Sequence, residues 1–401
     1  MKKVLFFITD NYPFGNGETF IENEIDYLSQ NFEKIFIVSK NIKDKQTREI
    51  SKNCEIFRIK KDYKKLLSII LDKNYLVDFI SNFDLKNLKK LMGFQFFSKL
   101  IENKVLEIIK LKKLKKEEII FYSYWFYNGA YAGVNLKRKK IVDKVISRAH
   151  GYDIFFERGY QPLKKEILNL INKVYSCSKE GEMYLKLKYK NTEKIGYSYL
   201  GTMNNNIFIP KEKNRIINIL SCSNIISLKR INLIVEGLAC LSKSLIKKYE
   251  INWIHIGDGI EQENIVKLAE NKLKNINFKL MGRLSNKDVL KFYERNDIYL
   301  FLHMSSSEGL PVSMMEVQSF GIPIIATNVG GVSEIVNEKT GILLSANPKI
   351  EEITEAIEKM INLSDKEYLE YQKNSYENWK ENFNAEKNYT NFIIKNLLGE
   401  K

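Results

Sequence analysis

Ser305-Ser306-Ser307-Glu308-Gly309-Leu310-Pro311-Val312-Ser313-Met314-Met315-Glu316 is the stretch on which the fold turns. An apolar run, Ile298–Leu302, leads into it, and a second, Ile322–Thr327, follows. Strand, loop, helix over about Pro311–Phe320, strand: this succession is a βα unit of a parallel sheet. Proline suits the first turn of a helix, where its missing N–H costs nothing, so Pro311 marks the helix start. The backbone N–H groups of Gly309–Val312 would then point at a ligand with the helix dipole behind them, which makes an anion site. Glu308 lies in the loop and Glu316 about a turn and a half into the helix, and a carboxylate accepts hydrogen bonds from sugar or ribose hydroxyls. Two glutamates at this spacing, taken alone, read as a surface pair; the argument for a site rests on the surrounding pattern.

The same alternation runs outward in both directions. Toward the N-terminus of this half come strand Ile216–Ser221, a helix from about Arg230, strand Asn252–Ile256 ending at Gly257-Asp258-Gly259, and strand Asn277–Met281 ending at Gly282. Beyond it lie the turn Gly330-Gly331 and a helical stretch from Ile350 to Leu398. The first half reads as strands Val4–Ile8, Ile35–Val38, Ile119–Tyr122, Val145–Arg148 and Lys173–Cys177, with a helix over Glu18 to Gln30 and basic-faced helices between Tyr63 and Leu114. Strands alternating with helices predict α/β architecture with parallel sheets, and each loop after a strand lies at the carboxyl edge where such sheets bind ligands. The polar, asparagine-rich stretch Gly201 to Asn214 reads as an interdomain linker. The expected division is a domain over 1–205, a second over 206–380, and a C-terminal helix over 381–401 that packs back on the first.

Glu308-Gly-Leu-Pro…Glu316…Gly321-Ile-Pro-Ile-Ile-Ala-Thr-Asn-Val-Gly-Gly-Val-Ser-Glu334 resembles the E-x7-E region, with the glycine turn after it, of the retaining glycosyltransferases of glycosyltransferase family 4. The resemblance covers nearly all of residues 4–345, closely after 216 and loosely before. It implies a GT-B fold: two Rossmann-like domains facing a cleft, the first binding the acceptor and the second holding a nucleoside-diphosphate sugar. It implies that Glu308 binds donor-sugar hydroxyls and takes part in catalysis, that Glu316 binds the nucleotide ribose, and that the Leu310–Ser313 backbone lines the diphosphate. Glu334 reads as structural. Ser221-Cys222-Ser223-Asn224-Ile225-Ile226-Ser227-Leu228-Lys229-Arg230 matches the loop that supplies an Arg and a Lys to the donor phosphates. Lys229 fits the Lys position, but Asn224 stands where the family has Arg, which leaves Arg230 either to compensate or to face solvent. Gly257, Gly259, Gly282 and Arg283 fall where the family places glycine turns beside the nucleotide base.

In the first half, Pro13-Phe14-Gly15-Asn16-Gly17-Glu18-Thr19-Phe20 resembles the family's N-terminal glycine loop near the acceptor and the donor diphosphate, with Gly15 and Gly17 as donor-binding positions; a plain βα turn is the competing reading. Arg148-Ala149-His150-Gly151-Tyr152-Asp153 resembles a strand-end motif of some members, and of the three histidines His150 is the catalytic candidate, with Tyr152 and Asp153 orienting its ring. His255 reads as a core residue, and His303, opening the donor loop, reads either way. The implied reaction moves a hexose or N-acetylhexosamine from a nucleotide sugar to a hydroxyl with retention. It uses no metal and no cofactor; no DxD motif stands near a predicted active strand. A sugar-nucleotide epimerase of the same fold and a non-catalytic GT-B subunit are the competing readings.

Composition limits the setting. A 401-residue chain with 44% hydrophobic and 28% charged residues suits a folded protein of two domains. Its N-terminal apolar run ends after five residues in Thr9-Asp10, too short for a signal peptide, and no run approaches a membrane span. Cys54, Cys177, Cys222 and Cys240 form no CxxC pair, which suits a reduced, cytoplasmic protein. Residues 1–200 hold 39 Lys+Arg against 24 Asp+Glu, and residues 201–401 hold 25 of each, so the whole net charge of +15 sits in the first half. That asymmetry fits an anionic membrane face or the phosphate of a lipid-linked saccharide acceptor, hence peripheral attachment at the inner face of the cell membrane. No nucleic-acid module is visible, and no nucleic-acid partner is expected.

Overall fold

The computed structural model describes residues 3–60, 85–190, 192–204 and 208–400. The chain divides into two units, one of Met1–Tyr199 with Tyr389–Lys401 and one of Leu200–Asn388. The division falls at Tyr199/Leu200 and Asn388/Tyr389, beside the 205/206 and 380/381 boundaries expected from the sequence. The expected helices between Tyr63 and Leu114 lie outside the described residues as far as 84; from there a single helix runs over Leu85–Lys112.

The N-terminal unit is one parallel sheet of seven strands in the order β3-β2-β1-β4-β5-β6-β7. These are β1 (Val4–Thr9), β2 (Lys34–Ser39), β3 (Cys54–Arg58), β4 (Ile119–Ser123), β5 (Lys144–Ala149), β6 (Lys173–Ser176) and β7 (Ile195–Tyr197). All six residues of β1 are buried, and all five of β4. Continuous burial is what helices on both faces of a parallel sheet impose, and it is why these strands read as apolar runs rather than alternations. The two edge strands lack that signature: β3 is mostly half-buried and β7 has three residues, so neither stands out in the sequence. Phe6, Phe36, Phe121 and Val145 meet in the core, each contributing about 1.5–3 kcal/mol by leaving water.

A charged pair is fully buried in this unit. Arg148 and Glu24 have fully buried side chains and meet at 3.2 Å. Tyr122 accepts from Arg148 Nε at 2.8 Å and donates to Glu24 at 2.8 Å, Arg148 Nη1 donates to the Ser198 carbonyl at 2.9 Å, and the guanidinium lies 4.0 Å over the Phe392 ring. Burial works against the guanidinium charge, and the Glu24 carboxylate more than offsets it, so Arg148 stays charged. The pair joins β5 to the helix Glu22–Asn31 and to the C-terminal segment of the same unit, and it holds the strand from which His150 projects. Removing either partner would strand a buried charge, at a cost of about 3–5 kcal/mol.

The C-terminal unit holds a parallel sheet of six strands in the order β10-β9-β8-β11-β12-β13. They are β8 (Ile216–Cys222), β9 (Glu250–Ile256), β10 (Asn277–Leu280), β11 (Ile298–His303), β12 (Ile324–Thr327) and β13 (Gly341–Leu344). Trp253, with its ring fully buried, packs in the core beneath it. Counted from β8 the order is 3-2-1-4-5-6, so the strand order reverses between β8 and β11. In the N-terminal sheet it reverses between β1 and β4. Neighbouring loops leave such a switch point in opposite directions and open a crevice at the carboxyl edge. Both candidate clusters described below sit at one of these two switch points.

Candidate active site

Lys229 and Glu308 reach each other from the two loops that flank the β8/β11 switch point. The Lys229 ammonium donates to Glu308 Oε1, and His303 Nε2 lies 2.7 Å from the same oxygen. Glu308 is 8% exposed, and burial alone would raise its pKa. The charge of Lys229 and the bond from His303 outweigh burial and hold the carboxyl well below the usual carboxylate range. Glu308 is therefore an ionised acceptor, gripped from two sides, at the end of β11. His303 is the last residue of β11 and shares in this site.

Glu316 stands apart from that pair. It is 4% exposed and accepts from Asn286 Nδ2 at 2.6 Å, and among the described residues no cation pairs with it. Burial pushes its pKa up to about 7, against the hydrogen bond from Asn286. It lies near Cys222, whose thiol burial and the Glu316 charge push up to about 12. Asn286, the first residue of the helix Asn286–Arg295, has no sequence signal that would have marked it.

The helix after Glu308 begins one residue later than expected. Pro311 has φ −72° and ψ 115° and precedes the helix Val312–Gln318 rather than opening its first turn. The Met314 N–H turns back to the Pro311 carbonyl at 3.2 Å, and the N–H groups of Val312 and Ser313 precede any carbonyl of the helix that could take them. The loop is closed from behind by Gly331, whose N–H donates to the Gly309 carbonyl at 2.8 Å. Leu310 and Pro311 are buried, and Gly309, Val312 and Ser313 are half-buried.

Arg230 turns away from the phosphate role left open for it. Its Nε donates to the Met304 carbonyl at 2.6 Å, Nη2 to the carbonyls of Ser305 at 2.7 Å and Ala346 at 2.9 Å, and Nη1 to Asn347 at 3.0 Å. Four hydrogen bonds spend its fork on the underside of the donor loop, so Arg230 shapes that loop. Arg283 behaves differently: its side chain is 45% exposed and spans from Asp258 at 3.3 Å to the Asn224 side chain at 3.1 Å. An arginine thus reaches the place where Asn224 left a cation missing, from a different loop.

The glycines of the second and third loops divide in purpose. A Cβ on Gly257 would come within 1.9 Å of the Ser223 carbonyl, and one on Gly259 within 2.1 Å of that of Ile225. Both are glycine because the β8 and β9 loops press backbone on backbone. Gly282, with φ +69°, has nothing within 4 Å of where its Cβ would be, so its outer side is open to a ligand. His255 fastens the same loops from beneath. Its ring is fully buried, with Nδ1 2.8 Å from Ser221 Oγ and Nε2 3.1 Å from the Ser223 carbonyl, and burial lowers its pKa to about 4.

At the N-terminal switch point, His150 follows β5 and is 8% exposed. Its Nε2 lies 3.1 Å from the Tyr124 carbonyl, which can only accept, so Nε2 carries the proton and Nδ1 is left as an acceptor. Burial, with the charge of Arg148, lowers its pKa to about 3, so the ring is neutral at physiological pH. The expected orienting residues are not the ones used. Tyr152 is 57% exposed, and Asp153 takes the backbone N–H groups of His150 and Phe126, each at 2.6 Å. The ring is oriented instead by Tyr124 and by a ring of aromatic neighbours: Trp125, Tyr124 and Phe20 lie 4.7, 5.1 and 5.5 Å away between centroids.

Gly15 and Gly17 face their own chain. Gly15, φ +60°, lies against Asp44, and Gly17 against Asn11. The polar group that organises this loop is Glu18, which sequence reading passed over. It is 7% exposed and accepts the N–H groups of Asp10 at 3.0 Å and of Asn11 and Tyr12 at 2.6 Å, together with the indole N–H of Trp125.

Two parallel sheets of this order, each with polar loops at its switch point, define an α/β protein of the GT-B kind. Residues 203–382, which lie within the C-terminal unit, match the family model for "Glycosyl transferases group 1". An uncharacterized glycosyltransferase of Haemophilus influenzae is 26% identical over 268 residues, covering 65% of this chain and 71% of the relative. The O-antigen biosynthesis glycosyltransferase WbnH of Escherichia coli is 27% identical over 250 residues, covering 60% and 67%. The structure of HepE of Anabaena, solved in complex with UDP, superposes with a TM-score of 0.67 at 15% identity, covering 99% of this chain and all of that one.

Proposed function

We propose that the protein transfers a hexose or N-acetylhexosamine from a nucleoside-diphosphate sugar to a hydroxyl of a saccharide or lipid-linked saccharide acceptor, retaining the anomeric configuration and using no metal. The observation that carries this reading is the meeting of Lys229, Glu308 and His303 at the β8/β11 switch point. It joins a cation and a fixed carboxylate just ahead of the helix Val312–Gln318, at the carboxyl end of the sheet. Glu308 accepts hydroxyls of the donor sugar, and Glu316 accepts those of the ribose. Lys229 exchanges Glu308 for the diphosphate when the donor enters, and His303 remains on Glu308. As the bond between the anomeric carbon and the phosphate oxygen breaks, Lys229 and the N–H groups of the Val312 turn take the leaving charge, a contribution of about 2.7–4 kcal/mol per well-placed donor. The acceptor oxygen bonds to the anomeric carbon on the same face, and its proton passes to the departing phosphate. His150, neutral and offering Nδ1, accepts a hydroxyl of the donor sugar.

UDP as the nucleotide is supported by HepE, and a surface polysaccharide precursor as the acceptor by WbnH. The net charge of +15 carried by residues 1–200 supports an acceptor held at the anionic inner face of the membrane, with the protein cytoplasmic and peripheral. Among the described residues no helix is long and apolar enough to cross a membrane. The test is turnover of a panel of nucleotide sugars after thermal-shift selection, with the anomeric configuration of the product read by NMR, in the presence and absence of EDTA. Retained product and undiminished turnover in EDTA are expected. An inverted product, loss of activity that magnesium or manganese restores, or an epimerised sugar nucleotide with no transfer would each overturn this reading.

A further inference from the structure

Four rings converge at the carboxyl end of β1, β4 and β5. Trp125 lies 4.7 Å from His150 and 6.1 Å from Phe20, and Phe20 stacks on Tyr124 at 5.6 Å with 14° between planes. Tyr124 is fully buried, whereas Trp125 and Phe20 are partly exposed. The indole is held in place. Its N–H is taken by the Glu18 carboxylate, which three backbone N–H groups lock in turn. Glu18 adopts φ +56°, a left-handed conformation that costs a non-glycine residue on the order of 1–3 kcal/mol, and the four converging donors sustain it.

A polar strip runs beside the aromatic wall. Glu18 Oε1 accepts from both the indole and the Asp10 N–H, so Asp10 begins one hydrogen bond from the tryptophan. The Asp10 carboxylate, 38% exposed, meets Lys40 at 2.6 Å, and Lys40 reaches the Asn128 side chain at 3.1 Å. A rigid, part-exposed ring face beside a carboxylate, an ammonium and an amide matches the two sides of a pyranose: a C–H face that lies on an aromatic ring and a rim of hydroxyls that both donate and accept.

We infer that Trp125, with Phe20 beside it, is the stacking surface for a pyranose unit of the acceptor, and that the part-exposed Asp10 carboxylate, with Lys40 against it and the buried Asn128 amide holding Lys40, binds the hydroxyls of that unit. Glu18 is a positioning residue: it touches no substrate and fixes the plane of the indole. The inference rests on the transferase reading for the word acceptor, but the site itself can be tested without turnover.

The chain has three tryptophans, and Trp253 and Trp379 are fully buried, so Trp125 is the one that solvent and ligand reach. Intrinsic fluorescence is titrated with methyl pyranosides of glucose, galactose and N-acetylglucosamine, with sorbitol as an acyclic polyol, and with UDP and UDP-glucose. A saturable change with at least one pyranoside and none with sorbitol is expected, and Trp125→Phe abolishes it. With a working donor and acceptor, Trp125→Ala raises the acceptor KM roughly tenfold or more while the donor KM moves less than about twofold, and Trp125→Phe falls between. A response to UDP or UDP-glucose with none to any pyranoside, or an acceptor KM unchanged in Trp125→Ala, overturns the inference. Pyranoside binding without any transfer would instead refute the transferase reading and leave the saccharide site standing. Should Trp125→Ala fail to fold, the acceptor KM of the Phe variant, or pyranoside affinity of that variant by calorimetry, decides.

Discussion

Replacing Lys229 by Met isolates the electrostatics of the donor site. Met keeps the length of the side chain and removes the ammonium, leaving Glu308 in its buried position with only His303 against it. The side chains of Lys229 and Glu308 are 18% and 10% exposed, so solvent screens the pair little. Breaking a pair of this kind costs about 3–5 kcal/mol. For a domain the size of the C-terminal unit, each kcal/mol moves Tm by roughly 2–4 °C, so a fall of about 6–20 °C is expected at pH 7. The sign with pH follows from the carboxylate. In the native chain its folded pKa is depressed, so its contribution is full above the unfolded carboxylate range, near 4.3, and is lost as pH falls further. In Lys229→Met burial prevails and Glu308 titrates upward, so the gap between wild type and variant is widest at neutral pH and begins to narrow as pH drops through 5 to 4. Adding Glu308→Gln removes the stranded charge, and the double variant recovers much of the lost stability. Thermal unfolding of the four proteins of this cycle across pH 4–8 is the assay. Additive single effects, or a gap that does not narrow at low pH, would refute the pairing of Lys229 with Glu308 as the organising contact of this site.

Two further outcomes follow from the same geometry. Glu316 has a raised folded pKa of about 7, so its contribution to stability is greatest below the unfolded carboxylate pKa and is lost as pH rises through 7. Glu316→Gln therefore loses less stability than wild type between pH 5 and 8 in the same unfolding assay, and Glu316→Ala weakens nucleotide affinity by calorimetry; parallel pH curves would contradict this. His150→Ala lowers kcat by about 10²-fold or more, the scale of one transition-state hydrogen bond, with nucleoside-diphosphate affinity little changed. Because the ring is neutral down to about pH 3, the wild-type kcat shows no inflection from this residue between pH 5 and 8, and a kcat close to wild type in the variant would make His150 structural.

Much of the architecture is legible in the sequence because a strand covered on both faces must be apolar throughout. Val4–Thr9 and Ile298–His303 are buried at every position, and such runs are visible without coordinates. The loops that follow them, with Glu308, Lys229 and His150, are also legible, since a loop after a parallel strand has one place to be. The edge strands β3 and β7 escape notice because an edge is covered on fewer sides and carries no continuous apolar run.

What the sequence alone determined about this protein was the succession of βα units and the identity of the polar residues at their carboxyl ends. Only the tertiary structure decided which of those residues face one another. Lys229 and Glu308 lie 79 positions apart and meet because β8 and β11 are neighbours. Arg230, one position from Lys229, is spent on the carbonyls of the donor loop, while Arg283, from another loop, reaches Asn224. Glu18 and Trp125, 107 positions apart, form one unit for the same reason at β1 and β4. Strand adjacency is a long-range property, set by how two faces of a sheet are covered and not by the local propensities a sequence displays. Charge and hydrogen-bond partners are inherited from that adjacency, which is why residue types could be read in advance and pairings could not.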